Sequence, residues 1–78
     1  MGSRYPVLPP EKVIKVLMKM GFVKVSQRGS HVKFKNAGQP SRTVIVPMHN
    51  ELARGTLRGI LEQAGVTLEE FLNDLDRI

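Results

Sequence analysis

Cysteine is absent from this 78-residue chain, which excludes a disulfide framework, a thiolate nucleophile and thiolate metal ligation together. No apolar run approaches the roughly 20 residues that span a bilayer, and no signal-peptide pattern opens the chain. A soluble, cytoplasmic protein without membrane attachment is the expectation. The Gly-rich patterns that cradle nucleotide cofactors are missing too. The only two histidines, His31 and His49, stand 18 residues apart with neither cysteine nor a clustered carboxylate beside them. That is a poor ligand set, so no metal and no cofactor is expected. Repeats, linkers and low-complexity segments are lacking. Residues 1–78 therefore make one domain at most, with a core near the lower limit of independent stability. The apolar share of 41 % suffices for a folded globule and is too high for a disordered tail. Met1-Gly2-Ser3 has the character of a cloning remnant and enters no argument.

Acidic residues are scarce over most of the chain. Residues 1–58 carry eleven Lys/Arg against Glu11 and Glu51, a balance of +9. Residues 59–78 carry Arg77 against Glu62, Glu69, Glu70, Asp74 and Asp76, a balance of −4. Such a division points to a polyanion on the first part and another partner near the tail. Charge alone is equally compatible with a solvated basic surface.

What is present has a regular order. Pro9-Pro10 opens a helix, because proline loses nothing in the first turn, and Glu11 complements the positive end of its dipole. Val13, Ile14, Leu17 and Met18 form its expected apolar stripe, with Lys12, Lys15 and Lys19 on another face. Gly21 suits the C′ position. Phe22–Gln27 alternates as a strand, and Arg28-Gly29-Ser30 turns it into a second strand, His31–Lys35. After the looser turn 36–41, Arg42–Val46 is a third, closed by Pro47. Three such strands make an antiparallel meander. Residues 48–55 form a loop, and Thr56 is the expected N-cap of a helix with Leu57, Ile60, Leu61 and Ala64 on one face. Gly65 ends it. Thr67-Leu68-Glu69-Glu70 is a capping box, with Val66 and Phe71 as its staple, so a short last helix follows. The order α-β-β-β-α-α, with helices covering one face of the sheet, is an α+β two-layer domain.

One stretch carries chemistry. In His31-Val32-Lys33-Phe34-Lys35 the period of two sends Val32 and Phe34 to one face and His31, Lys33 and Lys35 to the other. An imidazole beside two ammonium groups on an open sheet face suits a phosphodiester. RNA brings its own nucleophile, the 2′-hydroxyl, and histidine carries protons near neutral pH. Taken singly, His31 and His49 are equally compatible with exposed residues of no role. Ser30 and His31 point to opposite faces, which weakens a serine-nucleophile reading.

The landmarks Val13-Ile14-Lys15-Val16-Leu17, Met20-Gly21-Phe22, Gln27-Arg28-Gly29-Ser30-His31, Val46-Pro47-Met48-His49, Gly55-Thr56-Leu57, Ile60-Leu61, Ala64-Gly65 and Glu70-Phe71 follow one another at short spacing. In this order the chain resembles the HicA toxins of HicA–HicB toxin–antitoxin modules, from Pro10 to about Leu72. The resemblance implies a fold like a double-stranded-RNA-binding domain. It also implies an mRNA interferase, a small endoribonuclease with His31 of the Gly-Ser-His motif as its catalytic histidine. Its implied partners are mRNA and a HicB antitoxin that shields that histidine. On this expectation Arg28, Lys33, Lys35 and Lys24 bind RNA, and His49 is the candidate second proton carrier. A monomer is expected when free, on size and charge. Two other readings compete: a non-catalytic RNA-binding module on the same fold, and a DNA-reading helix-turn-helix over residues 56–76. The second would bring Glu69, Glu70, Asp74 and Asp76 against phosphates, which is electrostatically wrong. The acidic tail as a pure docking surface is compatible with an enzyme, since an antitoxin must bind somewhere.

Overall fold

The computed structural model describes residues 5–78; Met1-Gly2-Ser3 lies outside them. Helix α1 spans Pro10–Lys19, with Pro9 as N-cap and Glu11 in the first turn. Its buried residues are Pro10, Val13, Val16 and Leu17. Ile14 packs at the edge of the core, but Met18, expected inside, is 55 % exposed. Both choices obey helical spacing; the sheet lies under the face carrying Val16, one step around from the face the sequence suggested. Past the helix, Gly21 takes φ +100° and turns the chain into β1.

Strands β1 (Phe22–Arg28), β2 (His31–Asn36) and β3 (Thr43–Pro47) form an antiparallel sheet in the order β1-β2-β3. A two-residue turn joins β1 to β2, with Arg28 opposite His31. Gly29 holds φ +58° there, and among the described residues no non-glycine has positive φ. Glycine at the first central position is the requirement of a II′ hairpin, whose twist matches the strands. Val32 and Phe34 on β2 pair with Val46 and Val44 on β3, and all four are buried against the helices.

β1 departs from simple alternation. Its register against β2 slips between Lys24 and Ser26, which leaves Val25 as a bulge. Phe22 and Lys24 face the helix side, across from Asn36 and Phe34. After the extra residue Ser26 and Arg28 face the open side, across from Lys33 and His31. Strict alternation would have put Arg28 on the same side as Phe22. The bulge is what brings it beside His31.

Helix α2 runs Arg54–Ala64 with Ala53 as N-cap, so it begins before Thr56, the residue expected to cap it. The reason lies in the preceding loop. Leu52 is a core residue, 2 % exposed, and its N–H donates to the Leu8 carbonyl at 2.8 Å. Once that bridge ends, the chain turns helical at Arg54 without a side-chain cap. Gly65 ends α2 in the left-handed conformation. The expected capping box is present on α3 (Leu68–Leu75): Thr67 accepts from the Glu70 N–H, and Glu70 accepts from the Thr67 N–H. Phe71 of α3 is fully buried.

α1 packs on β1, α2 on β3, and α3 closes over α1 and α2. The core is one cluster in which Leu17, Phe22, Phe34, Val44, Leu57, Leu61 and Phe71 meet. α2 and α3, which a helix-turn-helix would have to present to DNA, serve here as cover for the sheet. The architecture is the expected α+β arrangement. It leaves one sheet face bare.

Candidate active site

That bare face holds the charged row. His31, Lys33 and Lys35 alternate with the buried Val32 and Phe34 and are all exposed. Across from them on β3 stand Pro47, Ile45 and Thr43. On β1, Arg28 lies opposite His31 and Ser26 opposite Lys33. Ser26, Gln27, Arg28, His31, Lys33 and Ile45 line an open concavity of about 480 Å³. Two cations and an imidazole around a solvent-filled hollow form a ready seat for a phosphate.

His49 reaches this site, which its distance along the chain did not foretell. Its ring lies edge-to-face with that of His31, centroids 6.3 Å apart and planes at 87°. Two backbone bonds hold it there. Beyond β3 the Met48 N–H donates to the Ser30 carbonyl at 2.6 Å, which prolongs the ladder by one step past Pro47. At the far end of the loop, Leu52 is tied to Leu8. The exposed His49 therefore sits on a short span anchored at both sides.

Lys24, expected among the RNA-binding cations, stands on the other face. It lies across from Phe34, and its ammonium donates to Gln27 Oε1 at 2.9 Å. Gln27 in turn donates to the Gly29 carbonyl at 3.1 Å, so this pair braces the hairpin that presents His31. Sequence alternation alone could not separate Lys24 from Arg28, because the bulge between them leaves no mark in the pattern. Among the described residues no group of three or more His, Cys, Asp or Glu side chains converges as a metal site would require.

With this geometry in place, the sequence comparison decides the family. Residues 10–66 match the family described as HicA toxin of bacterial toxin-antitoxin. The chain belongs to the HicA toxin family. It is thus a toxin of a toxin–antitoxin system, with an antitoxin as its counterpart. The matched span contains α1, all three strands, the His49 loop and α2, and ends just before α3. Both histidines of this HicA toxin fall inside it. No curated protein matches the chain. No helix among the described residues is long and apolar enough to cross a membrane.

Proposed function

We propose that this toxin is a single-domain endoribonuclease that cuts mRNA by metal-independent transesterification, and that a HicB antitoxin silences it by covering His31. The observation that carries the reading is the pair of imidazoles, 6.3 Å apart, on a basic open face. Arg28, Lys33 and Lys35 draw the phosphate backbone onto the sheet. His31 accepts the proton of the 2′-hydroxyl, and that oxygen attacks the adjacent phosphorus. The bond to the 5′-oxygen breaks as His49, in its protonated form, donates to the departing oxygen. The products are a 2′,3′-cyclic phosphate and a free 5′-hydroxyl. Arg28, opposite His31, faces the charge that builds on the non-bridging oxygens, where a fixed cation contributes most. Two rings at this separation let one phosphodiester present its attacking oxygen to one and its leaving oxygen to the other, each within the hydrogen-bond reach that proton transfer needs.

The test is incubation of wild-type and His31→Ala protein with end-labelled RNA in excess EDTA, with analysis of the product ends. Cleavage by wild type with cyclic phosphate ends, and none by His31→Ala, is the expected result. RNA bound by both proteins and cut by neither would instead make the chain a non-catalytic RNA-binding module.

A further inference from the structure

We infer that RNA crosses the sheet in one direction, with its 5′ side held by Lys35 and Lys33 and its 3′ side leaving past His49. The inference rests on the ribonuclease reading above and on the roles it gives the two imidazoles.

Four side chains succeed one another along the axis of β2. Lys35, Lys33 and His31 share a face of one strand, so each follows the last by about 6.8 Å, two residues of strand rise. β3 runs antiparallel with Pro47 opposite His31, and Met48 bonds back to Ser30. The chain therefore carries His49 beyond His31, on the side away from Lys33. The order is Lys35, Lys33, His31, His49.

The reaction has a polarity of its own. The attacking 2′-oxygen belongs to the nucleotide 5′ of the scissile phosphate, and the leaving oxygen to the nucleotide 3′ of it. In an in-line displacement these two oxygens lie on opposite sides of phosphorus. A base at the first and an acid at the second thus orient the strand, its 5′ nucleotide toward His31 and its 3′ nucleotide toward His49. The phosphates preceding the cut then fall on Lys33 and next on Lys35, whose spacing suits a cationic track that follows a nucleic-acid backbone.

Both lysines are exposed, and the one ion pair among the described residues, Arg58 with Glu62, involves neither. On the far side of His49 come Asn50 and Glu51, and the next cation, Arg54, donates to the Tyr5 carbonyl. Anchoring charge is thus concentrated upstream of the cut. The contacts are to backbone and not to bases. All three phenylalanines are in the core, 0–2 % exposed, so upstream of His31 the face offers the ammonium groups of Lys33 and Lys35 and no phenylalanine on which a base could stack.

DNA oligonucleotides with a single ribonucleotide allow only one bond to be cut, and they test this directly. One substrate carries three deoxynucleotides upstream of the ribonucleotide and one downstream; its mirror carries one upstream and three downstream. The first is expected to be cut with the higher kcat/KM. A neutral methylphosphonate at either phosphate preceding the scissile one should lower kcat/KM about tenfold, the size of one charge-assisted contact. Lys33→Met and Lys35→Met should each abolish sensitivity to the methylphosphonate at their own position. The opposite preference, or equal cleavage of both substrates, overturns the direction while leaving the ribonuclease intact. Failure to cut an all-RNA control overturns both.

Discussion

In the proposed mechanism His31 and His49 divide one reaction between them, so their removal should have different signatures. Loss of a positioned acid or base costs roughly 10²–10⁴-fold in rate. On RNA both alanine variants should fall by that order. On a substrate whose leaving group departs without a proton, such as a 5′-bridging phosphorothiolate, His49→Ala should recover most of its rate while His31→Ala does not. If His49→Ala keeps its rate on RNA, the imidazole pair is proximity without function. Gln27 belongs to this scale too, since its bonds to Lys24 and to the Gly29 carbonyl hold the turn before His31.

Among the strands, β1 does the least burying and the most positioning. Only Phe22 of its seven residues is buried, and its role is to deliver Arg28 to the histidine. The bulge at Val25 achieves this by changing the phase of the strand halfway along. Deletion of Val25 removes the unpaired residue, so the pairs from Phe22–Asn36 to Arg28–His31 close into a regular ladder that keeps Phe22 in the core and Arg28 beside His31. The deletion variant should therefore remain folded by circular dichroism and thermal melting and keep the RNA cleavage that Arg28→Ala loses. Unfolding of the variant would count against this account. β3 guards its own edge differently: the Ile45 N–H, turned away from β2, donates to Gln63 Oε1 of α2 at 3.1 Å. That leaves β1 as the edge without a helix-borne cap among the described contacts.

Over the whole molecule, charge and core are laid out on opposite sides of one sheet. The apolar face of each element turns inward, no polar side chain among the described residues is buried, and the cations of β1 and β2 remain on the bare face. Binding to RNA should accordingly weaken with salt. The three phosphate contacts proposed for Arg28, Lys33 and Lys35 predict a slope of log K against log salt near −2, from about −0.7 per contact on a single strand. Lys35→Met should reduce the slope by about one contact. Lys24→Met should leave it unchanged, because Lys24 faces the other way. Filter-binding titrations between low and moderate salt measure both, and an equal loss of slope in the two variants would refute the separation of faces.

The sequence by itself determined the elements and their order. Gly29 marked the hairpin, Thr67 with Glu70 marked the start of α3, Gly65 marked the end of α2, and Val32 and Phe34 marked the buried side of β2. These signals are local, set by backbone torsion, capping and periodicity within a few residues. The row His31, Lys33, Lys35 was legible for the same reason, since three residues of one strand share a face whatever surrounds them. Other features were not local. The rotation of α1 that buries Val16 and exposes Met18 depends on where the sheet lies. The start of α2 at Arg54 depends on Leu52 bridging to Leu8, a segment over forty residues earlier. The bulge that parts Arg28 from Lys24 depends on the register with β2, and the meeting of His49 with His31 depends on β3 returning beside it. His31 could be placed on its strand from the sequence. Its partner could be found only in three dimensions, because strand pairing alone brings together residues 18 positions apart.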